Sequence, residues 1–161
     1  MKVLGIDPGI TATGYGIISR QETGEEKTCW GTIWPKKGPI YNKISQICLN
    51  IKQIIEEYEP EFAVLEKVFY QKNIQSLLRS SELRGAIILT LMDHKIKILE
   101  YAPAQIKLAT TGNGRASKDQ VRYFIERLLV KTKTSISNHA IDALAIAYTA
   151  YRKQKGYQNI R

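Results

Sequence analysis

The sequence predicts an α/β fold in which a mixed sheet is flanked by helices. An apolar run at Lys2–Asp7 and strand-like segments near 15–18 and 28–34 predict three antiparallel strands at the amino end. Helical and strand patterns then alternate, which is typical of a sheet whose later strands are parallel. With 161 residues, 43% of them hydrophobic, the chain has the size and composition of one globular domain. We expect that domain at 1–155 and a short basic tail at 156–161.

The elements after the third strand each have a local signal. Apolar residues at helical spacing predict the helices, and short apolar runs predict the strands. Pro103 opens one helix, Ser117 and Gln120 form a capping box for another, and Asn138 is predicted to cap the last. In chain order, these elements are helix 41–58, strand 62–66, helix 73–93, strand 95–101, helix 103–109, a helix after Ser117, and helix 138–153.

The charge of the chain is high and uneven. The formal net charge is +9. Residues 1–66 hold 7 Lys and Arg against 9 Asp and Glu, whereas residues 67–161 hold 17 against 6. This basic excess predicts a polyanionic partner, nucleic acid first. Cys29 and Cys48 lack the spacing of a zinc site, so we expect both to be reduced, in a cytoplasmic protein. No apolar stretch is long enough to span a membrane.

Four candidate metal ligands lie at predicted element ends. Asp7 and Glu66 each end an apolar strand, where a buried carboxylate is costly unless it is paired. His139 and Asp142 are three residues apart, on one face of the first turn of the last helix. Taken singly, each has an ordinary explanation as a turn, capping or surface residue. Together they suit Mg²⁺ or Mn²⁺, and a pair of such ions supports phosphodiester hydrolysis. An acidic site in a basic protein predicts a nuclease.

Three blocks resemble the signature blocks of the RuvC family of bacterial Holliday-junction resolvases. They are GIDPGITATGYGII (5–18), LEKVF (65–69) and HAIDALAIA (139–147), and the stretch 102–118 is similar as well. The resemblance implies a ribonuclease H-like fold. It also implies a homodimer that makes paired, Mg²⁺-dependent nicks in four-way DNA junctions during recombination and repair.

The resemblance implies roles for the four acidic-site residues. Asp7, Glu66, His139 and Asp142 match the catalytic, metal-binding positions, with two Mg²⁺ ions expected and Mn²⁺ as a substitute. Many members of the family have Asp where this chain has His139, although His also occurs there. The imidazole lowers the negative charge of the site by one and favours a shift toward Mn²⁺.

The resemblance also implies a set of DNA-binding residues. It places Phe69 on an unpaired base near the crossover, although core packing is the ordinary explanation for such a residue. Lys107, Arg115 and Lys118 match basic DNA-binding positions, although each alone would be a common surface cation. The apolar helix 73–92 is expected to form the dimer interface, with a fully internal helix as the alternative.

Two other functions compete with the junction endonuclease. One is a non-catalytic junction-binding module, motivated by His139 in the metal site. The other is a phosphotransferase of the sugar-kinase type, for which the chain is too short and its basic excess is unexplained. A RuvA–RuvB branch-migration complex stays open as a partner, because the tail after Lys153 is short.

Overall fold

A five-stranded mixed sheet forms the centre of the molecule. The computed structural model describes residues 1–21, 24–68, 74–130 and 135–158, with side chains in the last helix described to residue 154. The strands lie in the order β3-β2-β1-β4-β5. The elements, in chain order, are β1 (Lys2–Asp7), β2 (Thr13–Arg20), β3 (Glu26–Ile33), α1 (Ile40–Tyr58), β4 (Phe62–Glu66), α2 (Ile74–Asp93), β5 (Lys97–Tyr101), α3 (Pro103–Thr111), α4 (Lys118–Leu129) and α5 (Asn138–Gln158).

The strand directions follow the prediction from sequence. The first three strands are antiparallel neighbours, whereas β4 lies parallel to β1 and β5 lies parallel to β4. A parallel pair needs a crossover, which α1 provides between β3 and β4 and α2 provides between β4 and β5. The mixed sheet with flanking helices is therefore confirmed.

Helices cover both faces of the sheet. The core on one face contains Leu4, Ile6 and Leu65 with the apolar sides of α1 and α2. The core on the other face contains Val3 and Val64 with α4 and α5. Because side chains alternate along a strand, odd positions of β1 and even positions of β4 lie on the α5 face. Asp7 and Glu66 fall on that face.

Several element ends differ from their predicted positions. β5 begins at Lys97 rather than at residue 95, because Lys95 has φ 57° and the amides of Lys95 and Ile96 close the end of α2 by bonding to its carbonyl oxygens. α5 continues to Gln158, past the predicted end at Lys153. The capping box of Ser117 and Gln120 is confirmed at the start of α4. In the described segments no helix is long and apolar enough to cross a membrane.

Candidate active site

Asp7 and Glu66 lie side by side at the carboxyl ends of the adjacent strands β1 and β4. The parallel register pairs Ile6 of β1 with Leu65 of β4, so the next residue of each strand is an acid at the same carboxyl end. The structure thus brings together two of the predicted ligands. Both side chains lie on the face covered by α5, which contributes the rest of the site.

α5 approaches the sheet unusually closely at two glycines. A Cβ placed on Gly5 would lie 2.1 Å from the carbonyl oxygen of Ala143, and one on Gly14 would lie 1.9 Å from that of His139. Only glycine leaves room for the helix backbone at these positions. Because Gly14 is the partner of Asp7 in the β1–β2 register, this contact sets the first turn of α5 directly beside Asp7.

Ser137, rather than Asn138, caps α5. The Ser137 hydroxyl accepts a hydrogen bond from the amide of Ala140 at 3.1 Å, which is the geometry of an N-cap. The prediction of Asn138 as the cap is therefore wrong. Asn138 instead accepts a hydrogen bond from Arg122 at 2.6 Å, because its side chain points toward α4.

The α5 ligands reach the strand ends. His139 Nδ1 lies 2.8 Å from Asp7 Oδ2, so these two predicted ligands are directly hydrogen-bonded. Asp142 follows one turn later and lines the same cleft as Asp7 and Glu66. All four predicted ligands thus converge at one end of the sheet.

The carboxylates repel one another in a partly buried environment. Burial raises the pKa of Glu66, and the charges of Asp7 and Asp142 raise it further. Burial and the charge of Asp7 also raise the pKa of Asp142, although Lys118 and His139 oppose the shift. Two neighbouring carboxyl groups whose pKa values are raised by burial and by like charge are typical of a functional site rather than of a structural ion pair.

Two predicted DNA-binding lysines line the cleft. Lys118 Nζ lies 3.7 Å from Asp142 Oδ2, and its side chain is 88% exposed. Lys107 lines the opening together with the three acids. The cleft encloses about 150 Å³, which is room for several water molecules or a phosphate group. The cleft therefore has an acidic interior with two cations at its rim.

The other two predicted DNA-binding residues are not part of this cleft. Arg115 lies on the loop between α3 and α4, where its backbone amide donates a hydrogen bond to Asn113 Oδ1 at 2.9 Å. It is exposed and does not line the cleft. Phe69 lies outside the described residues, so its predicted exposure on a loop stays a prediction.

The ligand set fits a hard cation in an open site. Among the described side chains, no three His, Cys, Asp or Glu residues lie close enough together to hold a metal ion by themselves. Mg²⁺ is usually held by one or two carboxylates together with water and substrate phosphate oxygens, so it does not need such a centre. Three carboxylates around a cleft with room for water and a phosphate group satisfy that requirement, whereas a structural zinc site would need Cys or His as most of its ligands.

The comparisons with known proteins identify the family of the chain. The family model described as crossover junction endodeoxyribonuclease RuvC matches residues 3–150. The chain belongs to the RuvC family. A RuvC relative from Chloroherpeton thalassium, named crossover junction endodeoxyribonuclease, is 37% identical over 154 residues, which cover 95% of this chain and 83% of the relative.

Solved RuvC structures share the fold. Thermus thermophilus RuvC superposes with a TM-score of 0.83 at 26% identity, over 97% of both chains. The structure described as T. thermophilus RuvC in complex with Holliday junction substrate gives a TM-score of 0.86 at 25% identity, over 97% of this chain and 96% of that one. The ribonuclease H-like fold and the RuvC resemblance are therefore confirmed.

Sequence reasoning missed two residues beside the RuvC-like site. Arg84 of α2 is only 12% exposed, donates a hydrogen bond to the backbone oxygen of Glu66 at 2.9 Å, and pairs with Glu100 of β5. It fixes the strand end that carries Glu66. Trp34, after β3, places its indole edge-to-face with the His139 ring at 6.4 Å between centroids. A charged residue within an apolar helix pattern was the available signal for Arg84.

Proposed function

We propose that this chain resolves four-way DNA junctions by metal-dependent hydrolysis of phosphodiester bonds at the cleft formed by Asp7, Glu66, His139 and Asp142. The observation that carries the proposal is the convergence of these four residues, from two adjacent strand ends and one helix. All four lie within the RuvC-matched region. Residues 1–155 would form the nuclease domain.

The acidic residues would hold divalent cations, with Mg²⁺ first and Mn²⁺ as a substitute. Such ions, two per site in our proposal, activate a water and stabilise the leaving oxygen when they are bound. Asp7, Glu66 and Asp142 offer hard oxygen ligands. His139 Nδ1 is hydrogen-bonded to Asp7, so its other ring nitrogen is the one available to an ion or to a proton.

The basic residues would bind the phosphate backbone. Lys107 and Lys118 line the cleft, and the long exposed side chain of Lys118 can reach a phosphate above Asp142. Arg115 would extend the contact along an arm of the junction. Phosphate contacts of this kind position the DNA without reading its sequence. Phe69 would stack on an unpaired base at the crossover, as the resemblance implies.

A homodimer would place two equivalent sites on one junction. α2 supports this proposal because it exposes Ile74, Leu78, Leu89 and Met92, although other residues of the same helix are fully buried. A two-fold partner would bury these side chains. Docking of a RuvA–RuvB complex rests on family membership alone. A reducing cytoplasm is supported by the two free cysteines.

A junction-nicking assay tests the proposed reaction. The purified protein is mixed with a mobile four-way junction, with a linear duplex of the same sequence as the control, in Mg²⁺ and in EDTA. We expect two symmetric nicks in the junction, no cutting of the duplex, and no reaction in EDTA. Tight binding without nicking in either Mg²⁺ or Mn²⁺ would instead support the non-catalytic junction-binding module.

A further inference from the structure

Trp34 is held in place although its side chain is exposed. Trp34 is 66% exposed, which is unusual for so large an apolar residue. Pro35 restricts the backbone of Trp34 to extended conformations. The chain is anchored on both sides of Trp34. Before it, the Thr32 hydroxyl lies 2.5 Å from the Ser137 hydroxyl, and after it, the Lys36 amide donates a hydrogen bond to Gln46 Oε1 at 2.9 Å. The ring is therefore presented to solvent by an anchored backbone.

A groove behind Trp34 is lined by amide side chains. Gln46, Asn50 and Gln53 follow one another on one face of α1 and line the groove with Trp34, Tyr15 and Glu57. Its volume is about 400 Å³, which lies within the range of small-molecule sites. No Lys or Arg is among the described lining residues, and Glu57 is acidic, so the groove is unsuited to a phosphate.

The same lining suits a nucleobase. Aromatic rings stack on unpaired bases whatever their sequence. Asn and Gln side chains form paired hydrogen bonds with base edges, and Glu accepts from exocyclic amino groups. Trp34 with the amides of α1 thus combines a stacking surface and an edge-reading surface in one groove.

His139 connects this groove to the acidic cleft. Its Nδ1 lies 2.8 Å from Asp7, and its ring centroid lies 6.4 Å from that of Trp34. A DNA strand with a phosphate at Asp7 would therefore bring an adjacent nucleotide to the indole. We propose that Trp34 and the amide-lined groove receive an unpaired base next to the scissile phosphate and contribute to the sequence selectivity of cleavage. This inference rests on the proposed function of the acidic cleft.

Cleavage of abasic junctions tests the stacking contact. Trp34→Ala should slow junction nicking by roughly 5- to 150-fold, and Trp34→Phe should recover part of that rate. A junction with an abasic site at one nucleotide near the cut should slow the wild-type protein by a similar factor. Trp34→Ala should lose nothing further on that junction, because the stacking partner is already absent. Tyr41→Ala, which removes a 68% exposed aromatic ring outside the groove, should nick at the wild-type rate.

Two further measurements do not depend on the Trp34→Ala rate alone. The chain has two tryptophans, so the tryptophan fluorescence of the double variant Trp30→Phe with Asp7→Asn comes from Trp34 only. Asp7→Asn is included so that the junction is bound but not cut. A four-way junction should quench that emission, and the abasic junction should not. Consider junctions that differ only in the base at the nucleotide where an abasic site slows the wild-type protein. The double variant Asn50→Ala with Gln53→Ala should show a smaller difference in nicking rate between these junctions than the wild type does.

The outcomes separate this site from the acidic cleft. Two results would overturn the base-binding groove in a wild-type protein that nicks the junction. One is Trp34 emission that the junction leaves unchanged. The other is a nicking rate that Trp34→Ala lowers by the same factor on the abasic junction as on the intact one. If the intact junction quenches Trp34 emission, the abasic junction does not, and the wild-type protein never nicks the junction, the groove is supported and the proposed reaction is overturned. The melting temperature of Trp34→Ala should match that of the wild type, because Trp34 is exposed.

Discussion

Gly14→Ala tests how α5 is positioned over the strand ends. The added Cβ would lie 1.9 Å from the carbonyl oxygen of His139 and 2.3 Å from its carbonyl carbon. Both are backbone atoms, so no side-chain rotation relieves the clash. The first turn of α5 must move away from β2, and it takes His139 away from Asp7.

The size of the effect follows from the geometry. A Cβ is essentially never found closer than 3.0 Å to such an atom, so α5 must shift by about 1 Å. Overpacking of this kind costs about 1–3 kcal/mol, and each kcal/mol lowers the melting temperature by roughly 2–4 °C in a chain of this length. A misplacement of about 1 Å at a reacting centre lowers the rate on the order of 100-fold.

Calorimetry and junction nicking measure the two effects. Gly14→Ala should melt several degrees below the wild type and nick about 100-fold more slowly, while it retains junction binding through Lys107 and Lys118. Ser45→Ala is a control of similar size, because Ser45 is exposed on α1, does not line the cleft and is not on the helix proposed for the dimer interface. A wild-type rate and melting temperature for Gly14→Ala would refute the close packing of α5 beside Asp7.

Three further predictions concern acid repulsion, salt and assembly. The raised pKa values of Glu66 and Asp142 mean that the metal-free fold favours their protonated forms, so its stability falls as the pH rises through those pKa values. Without metal at neutral pH, Glu66→Gln and Asp142→Asn should therefore melt above the wild type, and the gain should vanish at acidic pH; a lower melting temperature would argue for a structural role. Lys107→Ala and Lys118→Ala should each flatten the dependence of log junction affinity on log salt by roughly 0.9, and an unchanged slope in both would place these lysines off the DNA. Leu89→Lys should yield a folded monomer by analytical ultracentrifugation if α2 forms the dimer interface, whereas an unchanged mass would move the interface elsewhere.

The sheet was predictable because its signals are local. The short apolar runs that end at Asp7 and at Glu66 identify strands without reference to distant residues. The start of β5 was not predictable in this way. Lys95 and Ile96 look like strand residues in sequence, yet their amides complete the end of α2. The amides that end the helix are not available to the strand, so β5 begins two residues later than predicted.

The acidic site was predictable in its members but not in its contacts. The two strand-terminal acids and the H-A-I-D turn of α5 are visible in the sequence, and the structure brings all four side chains to one place. The pairing of His139 with Asp7 spans 132 positions, so spacing along the chain cannot reveal it. Trp34 was missed for the same reason, because its contact with His139 joins residues that are far apart in the chain.

The most direct test of the account separates cutting from binding. Asp7→Asn, Glu66→Gln and Asp142→Asn each remove a carboxylate from the cleft and leave the basic surface intact. Junction affinity and junction nicking are measured for each variant in Mg²⁺ and in Mn²⁺. We predict wild-type or tighter binding with nicking lost in all three, because the removed charges would hold the ions. Nicking at the wild-type rate by any of them would contradict the assignment of the acidic cleft as the active site.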